Sequence, residues 1–552
     1  MIRREKCDIM IIDKSTFKGN FMKNYKHFGV MLDCSRNAVM KPSAVKRFID
    51  CLEKMGYNTL ELYAEDTYRV EGEPYFGYLR GGYTAAEIKD IDAYALQHGV
   101  ELIPCIQTLA HFNNTVKLPV YRDIVDTADI LLIDEEKTYE FLDKIFASAA
   151  ANFTSRRIHI GMDEAHMVGL GAYLDKHGFT DRAQLLVRHL NRVAKIAEKY
   201  GFQPHMWSDM FFRLANHGEY YARGLHIPES VIERVPDNVE LTYWDYYHSD
   251  VADYDAMMES HKEFGKEIWF AGGAWSWNGF APFHTYSLKT MRPAMESVRK
   301  NGVENVLLTM WGDNGKECSF FALLPTLYAI RQYADGNFDE AKISRGFKET
   351  FGISYEDFTL LELPNATKGT KAGTIAENPC KSLLYSDCFL GILDKAVEAE
   401  GKIPFAEYAE KLSDAAFRAG EFKYIFDALS ALCEVMEIKA ELGVRTRKAY
   451  RADNKAELTG LLNKYTVLSE RLKAFYKLFK ELWMRENKSF GWEIQDARLG
   501  GVMLRIRSCK ERLEEYISGK IPAVEELDED ILPYVNGLEL NNYWLLVSPS
   551  DI

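Results

Sequence analysis

RIHIGMDEAHMVGLG, residues 157–171, begins as a short apolar run and then sets two carboxylates, Asp163 and Glu164, side by side. Ile158 and Ile160 alternate with His159, the period-two pattern of a strand, so His159 reads as interior and structural. His166 and His177 read as parts of the following helix and loop. Adjacent acids most often sit in solvated turns. Here they close a buried strand, the place where (β/α)8 barrels build their active sites.

The same grammar recurs on both sides of this segment. Short runs rich in β-branched and aromatic residues end in polar or acidic ones: FGVMLDCS (28–35), TLELYAED (59–66), ELIPCIQT (101–108), RIHIGMDE (157–164), PHMWSDM (204–210), VELTYWDYY (239–247), EIWFAGGAW (267–275) and NVLLTMWGD (305–313). Helical patterns lie between them. Val45, Phe48, Ile49 and Leu52 share one helical face, and TAAE at 84–87 is a capping box. Strands alternating with helices indicate an α/β protein, a (β/α)8 TIM barrel over residues 28–335. An open doubly wound sheet would be expected to carry a glycine-rich phosphate turn after its first strand, and LDCSRNAVM has none. Residues 336–552 hold long helical patterns with few strand signals, and predict a C-terminal α-helical domain. Residues 1–27 read as a short N-terminal extension.

The net charge of −14 disfavours a nucleic-acid or anionic-membrane partner, both of which attract a basic excess. Nine cysteines, an odd number without CxxC spacing, read as reduced thiols and predict neither a metal framework nor a cofactor. No apolar run of about 18 residues suggests a membrane span, and the N-terminus has no apolar signal core, so a cytoplasmic location is expected. A homodimer is left open.

The predicted strand ends converge on one rim. They bring Asp33, Ser35 and Arg36 from the first strand, Glu65 and Asp66 from the second, and His111 from beyond the third. The later strands add Asp163, Glu164, Trp207, Asp209, Tyr243, Trp244, Asp245, Trp275, Trp277, Trp311 and Asp313. Six of the nine tryptophans lie between 207 and 311, so the rim combines acids with indoles. Singly, each tryptophan is more often packing than ligand contact. Together, carboxylates that accept from hydroxyls and indoles that cover C–H faces suit a neutral polyhydroxylated ligand, a sugar.

HIGMDE, with MLDCSRN upstream and MWGD downstream, resembles glycoside hydrolase family 20, the β-N-acetylhexosaminidases, whose fourth-strand motif is His-x-Gly-Gly-Asp-Glu. The likeness runs through all eight strand ends and into WMRENKSFGWEIQDARLGGVMLRI (483–506), and is closest to bacterial exo-β-N-acetylglucosaminidases with such a helical domain. The resemblance implies that Glu164 is the general acid/base and that Asp163 orients the substrate's acetamido group. It further implies that Tyr243 bonds the acetamido oxygen and that Asp66 and His111 form a relay behind the acid. Arg36, Asp245 and Asp313 would hold sugar hydroxyls, and Trp207, Trp311 and either Trp275 or Trp277 would wall the pocket. This chain departs from the family at Met162, where the motif has its second glycine, and at Asp313, where glutamate is usual. With only about 27 residues before the first strand, the α/β domain that often precedes the barrel in that family is expected to be truncated or absent.

The expected reaction is the release of terminal β-linked GlcNAc, with GalNAc left open, from a small carbohydrate. Two-carboxylate glycosidases space their acids about 5 Å apart when retaining, and wider when inverting. A consecutive Asp–Glu pair fits neither scheme readily, because side chains on an ideal strand face opposite ways. Substrate-assisted catalysis removes the need for a second nucleophile. It calls for an ionised Asp163 and for a Glu164 able to give a proton near neutral pH. Two rival readings are a retaining glycosidase for non-acetylated sugars and a sugar-binding barrel without turnover.

Overall fold

A computed structural model describes residues 25–371, 378–533, 537–538, 543–548 and 550. The greater part of the expected N-terminal extension lies outside them. Eight parallel strands close into a barrel in chain order: β1 (His27–Asp33), β2 (Thr59–Tyr63), β3 (Glu101–Cys105), β4 (Arg157–His159), β5 (Gln203–Trp207), β6 (Glu240–Trp244), β7 (Ile268–Gly273) and β8 (Asn305–Met310). Closure is direct, since β1 pairs with both β2 and β8, with Gly29 against Thr59 and Leu307. Each strand stops short of the polar end of its sequence run, because those residues leave the ladder to form the rim.

Helices flank the strands as the amphipathic patterns require. Helix Pro42–Met55 buries Val45, Phe48, Ile49 and Leu52. Helix Ala85–Gln97 starts on Thr84, whose side chain accepts from Glu87 N–H while the Glu87 carboxylate accepts from Thr84 N–H. Beyond Ala334 the regular elements among the described residues are all helices, the longest being Lys423–Arg451, Lys455–Glu486 and Trp492–Ile517.

The barrel interior beneath the rim is polar and aromatic. His205 Nε2 lies 3.2 Å from Glu61 Oε1, and its ring stacks on Trp269 with centroids 4.3 Å apart. Its Nδ1 meets Thr242 Oγ1 at 3.3 Å. Burial pushes the Glu61 carboxyl up to about 7, against the pull of His159. Burial likewise lowers His205 to about 3. Between about pH 3 and 7 Glu61 and His205 therefore meet as neutral groups, which avoids the cost of two desolvated charges.

Glu61 carries a pH signature. Its folded pKa lies above its ordinary value of 4.5, so the native state keeps a proton that the unfolded chain releases between about 4.5 and 7. Native stability from this group is full below 4.5 and falls as pH rises through that window. Relative to wild type, Glu61→Gln should gain stability from pH 5 to 7 by up to about 3 kcal/mol. Unfolding midpoints of the two proteins across this range check it, and a constant difference counts against the assignment.

Candidate active site

The acid pair stands on a backbone turn, not on a strand. After β4 the chain passes through Gly161 (φ 67°), Met162 (φ 72°) and Glu164 (φ 52°) in the left-handed region. For a residue with a side chain this costs roughly 1–2 kcal/mol, so the turn needs support. Each turned residue donates its amide to a side chain: Gly161 N–H to His159 Nδ1 (3.1 Å), Met162 N–H to Gln107 Oε1 (3.2 Å) and Glu164 N–H to Asp209 Oδ2 (3.2 Å). A Cβ at Gly161 would stand 1.9 Å from Gln107 Oε1, so only glycine fits beneath the clamp. Met162, at the motif's second glycine, takes the left-handed conformation with its side chain fully buried.

The turn brings both carboxylates to one nitrogen. His111 Nε2 lies 3.0 Å from Asp163 Oδ2 and 3.8 Å from Glu164 Oε2. The 3.0 Å contact is out of line with the ring N–H, so it acts as a charge pair more than as a hydrogen bond. The two acids differ in setting. Asp163 is buried, and its Oδ1 accepts from Gln107 Nε2 at 2.9 Å. Burial alone would raise its pKa, but the His111 charge, Gln107 and Arg36 together hold it well below the usual carboxylate range. Glu164 is 43% exposed, with Arg213 Nη2 4.0 Å from its Oε1. Burial opposes protonation of His111, yet Asp163 and Glu65 push it up to about 9. The ligating atoms of His111, Asp163 and Glu164 lie within 4.8 Å of one another. In the metal-free protein the His111 charge pairs with the two carboxylates.

Behind Asp163 runs a hydrogen-bonded chain. Gln107 Nε2 donates to Tyr63 Oη (2.9 Å), and Tyr63 Oη–H donates to Glu65 Oε1 (3.1 Å). Glu65 Oε1 also lies 3.9 Å from His111 Nδ1 and 3.5 Å from Arg36 Nε. The acid behind His111 is thus Glu65, not Asp66, which instead pairs with Arg80 Nε at 3.3 Å. Tyr63, the last residue of β2, donates to Glu65 and keeps it toward the site, while Asp66 turns away to Arg80.

Parity corrects two positions on β6. Thr242 faces His205 in the interior, so Tyr243 faces the helical layer. Tyr243 is fully buried, its ring 5.0 Å from His261 and 5.5 Å from Phe270. Its hydroxyl donates to Asp245 Oδ2 at 2.6 Å. Asp245 is also buried, and its Oδ1 accepts from Tyr247 N–H (3.1 Å) and His248 N–H (3.3 Å), so it caps its own loop. Neither is presented to a ligand. Trp244 and Tyr246 carry the interior parity onto the rim, and Trp311 Nε1 donates to Tyr246 Oη at 3.2 Å.

The remaining expected residues fall around this centre. Arg36 lies 3.3 Å from Asp33 and 3.5 Å from Asp313, with its guanidinium 4.7 Å from the Tyr63 ring and 4.8 Å from that of Trp311. Asp313 is 39% exposed at the rim. Trp207 packs between His159 (4.4 Å) and Trp311 (6.2 Å) as part of the floor. Trp275 and Trp277 stack at 4.0 Å, edge-on to Tyr247 and Tyr246 respectively, so the two form one wall.

Gln107, Tyr63, Arg213 and Tyr246 are functional candidates that the sequence reading passed over, while Glu65 and Asp209 were seen at strand ends without a role. Asp209 is buried and pushed up to about 7 by burial and by Asp163, against the opposing charge of Arg213. Arg213 Nε bonds Asp209 Oδ2 at 3.1 Å, one helical turn further on, an i,i+4 spacing visible in DMFFR.

An eight-stranded parallel barrel with paired acids and a tryptophan wall at its C-terminal rim has the architecture of the barrel-class glycoside hydrolases. Residues 25–256 match the glycosyl hydrolase family 20 catalytic domain, and residues 356–542 match the Glycoside Hydrolase 20C C-terminal domain. The chain belongs to glycoside hydrolase family 20. It is 29% identical over 239 residues to a beta-hexosaminidase of Vibrio furnissii, covering 35% of this chain and 38% of that protein. It is 25% identical over 236 residues to Hexosaminidase D of Bos taurus, covering 40% of this chain and 62% of the relative. The human Hexosaminidase D is 24% identical over 248 residues, covering 43% and 49% respectively. Each match spans less than two thirds of the relative's length.

The His111–Asp163 pair can be titrated directly. His111 has its folded pKa raised from 6.5 to about 9, so its stabilising charge is complete below pH 6.5 and is lost as pH rises through 9. Its ring proton signal, assigned by its disappearance in His111→Asn, should titrate near 9 in wild type and substantially lower in Asp163→Asn. An unchanged midpoint in Asp163→Asn would disprove the pairing.

Proposed function

We propose that this chain is an exo-acting β-N-acetylhexosaminidase that releases terminal β-linked GlcNAc by substrate-assisted, configuration-retaining hydrolysis. The observation that carries the reading is the inequality of the two acids. Asp163 is buried and held as a carboxylate by His111 and Gln107, while Glu164 beside it reaches the open rim. In this mechanism Glu164 protonates the departing glycosidic oxygen. The substrate's acetamido oxygen then attacks the anomeric carbon, and Asp163 accepts the acetamido N–H and balances the positive charge of the oxazolinium ion. Glu164, now a carboxylate, takes a proton from the water that opens the ring. Two displacements at one carbon retain its configuration. The family membership and the hexosaminidase names of the relatives support this reading.

His111, with Glu65 behind it, keeps Asp163 ionised. Tyr246 takes the role expected of Tyr243, donating to the acetamido oxygen. Arg36 and Asp313 hold ring hydroxyls, and Trp311 with the Trp275–Trp277 stack covers the sugar's C–H face. Among the described residues the indole N–H groups of Trp207 and Trp275 are buried without partners, donors that sugar oxygens would satisfy. Residues 28–335 make the catalytic barrel and 336–552 the helical domain of this reading. The eight described cysteines are free and buried, which suits the reducing cytoplasm; no described helix is long and apolar enough to cross a membrane.

A chromogenic N-acetyl-β-glucosaminide should be cleaved and the matching β-glucoside left almost untouched; equal rates on both defeat the acetamido mechanism. Asp163→Asn and Glu164→Gln should each lower the rate on the order of 10²–10⁴-fold. Azide should restore turnover of an activated substrate to Glu164→Ala, since the oxazolinium still forms. Tyr246→Phe should cost about 10²-fold in kcat/KM. Tyr243→Phe should leave turnover within about threefold and lower the unfolding midpoint, having lost a buried hydrogen bond. The opposite ranking of the two tyrosines would return the acetamido contact to Tyr243.

A further inference from the structure

Arg36 and Asp313 meet at 3.5 Å, but they ride on two different loops, one after β1 and one after β8. The β8 loop is unusually bent. Directly after Asp313 come Asn314 (φ 61°), Gly315 (φ 130°) and Lys316 (φ 56°), three left-handed residues in a row. Two of them carry side chains, and such conformations persist only where the surroundings over-determine them.

The surroundings that do so come from the helical region. Asn314 O accepts from Lys381 Nζ at 2.6 Å and also from Arg498 Nη1. Gly315 O accepts from Gln495 Nε2 at 2.9 Å and from Asn37 Nδ2 at 3.2 Å. Buried Glu317 balances the two cations, 3.0 Å from Lys381 Nζ and 3.2 Å from Arg498 Nη1. A Cβ at Gly315 would stand 2.4 Å from Arg498 Nη1.

The same part of the helical region grips the β1 loop next to Arg36. Asn37 (φ 88°) donates its other Nδ2 hydrogen bond to Gly491 O at 2.9 Å. A Cβ at Gly491 would lie 2.2 Å from Asn37 O. Lys488 N–H donates to Val39 O, and Lys41 N–H to Glu486 O, both at 2.8 Å. One corner, residues 486–491, and the helix Trp492–Ile517 that follows it therefore hold both loops.

We propose that Gln495 and Arg498, with Lys381, are positioning residues that set the Arg36–Asp313 pair and so govern how the enzyme discriminates sugar hydroxyls. The proposal rests on the hexosaminidase reading for its substrate. The helical region also meets the barrel elsewhere, as at Ser319–Glu486 and Trp277–Asn378. The contacts that matter here fall on the left-handed residues immediately following Asp313 and on the residue next to Arg36.

Kinetics on 4-nitrophenyl N-acetyl-β-glucosaminide and on the galactosaminide, combined with hydrogen exchange, test it in the full chain. Arg498→Met should raise KM about tenfold with kcat within about threefold, the pattern of lost ground-state positioning. It should also narrow the rate difference between the two epimers. Arg498→Lys should recover most of the loss. In an Asp313→Asn background the same Arg498→Met change should cost less than about twofold, because residues acting through one contact are not additive. Amides of 312–318 should exchange faster in Arg498→Met while those of 305–310 remain protected. Should Arg498→Met fail to fold, Gln495→Met keeps the charges in place and should show the same KM and exchange pattern.

Unchanged KM and exchange in these variants, or full additivity with Asp313→Asn, overturns the clamp. Wild-type protein inactive on both acetamido glycosides overturns the functional reading, and the specificity role with it. Active wild type with indifferent variants removes the clamp alone.

Discussion

The side-chain amide of Gln107 is the contact on which the site turns. Its oxygen accepts from Met162 N–H, and its nitrogen donates to both Asp163 and Tyr63. One group thus supports a left-handed backbone, excludes any side chain at Gly161 and orients a carboxylate. Had the strand continued, Asp163 and Glu164 would face opposite sides of the sheet. Because it stops at His159, they meet one imidazole.

Charge management follows from this arrangement. A buried carboxylate is costly unless its partners are fixed, and one lost partner leaves an uncompensated charge. Asp163 is served by His111 and Gln107, with Glu65 and Arg36 completing a ring of alternating charge. Deeper in the barrel Glu61 and His205 solve the problem differently, by both staying neutral. The field of Asp163 is therefore countered at the rim by fixed cations, not by ions in the core.

The helical region is part of the same economy of strain. A barrel supplies rigid strand ends but leaves its loops to find their own partners. The loops after β1 and β8 find theirs on helix Trp492–Ile517 and the corner before it. The conformations of Asn37 and Asn314, unfavourable for each residue alone, are held by contacts to residues 454 positions away for Asn37, and 67 and 184 positions away for Asn314.

The eight-strand rhythm, the capping box at Thr84 and the prominence of Asp163 and Glu164 were legible in the amino-acid sequence. Each depends on local spacing: a parallel strand buried on both faces is rich in apolar and aromatic residues, and its run turns polar where the rim begins. Parity within a strand was legible in principle, and it turns Tyr243 away from the barrel interior once the interior face is known. Barrel closure decides that face, and it decides which side chains meet across strands. Gln107, Asp209 and Arg213 became parts of the acid turn only when β3, β4 and β5 came side by side, and Arg498 joined Asp313 only when helix and barrel packed. Sequence periodicity tells each element which way to face. Partners many residues apart are set by three-dimensional packing, and those partners determine the charge state and the geometry of the site.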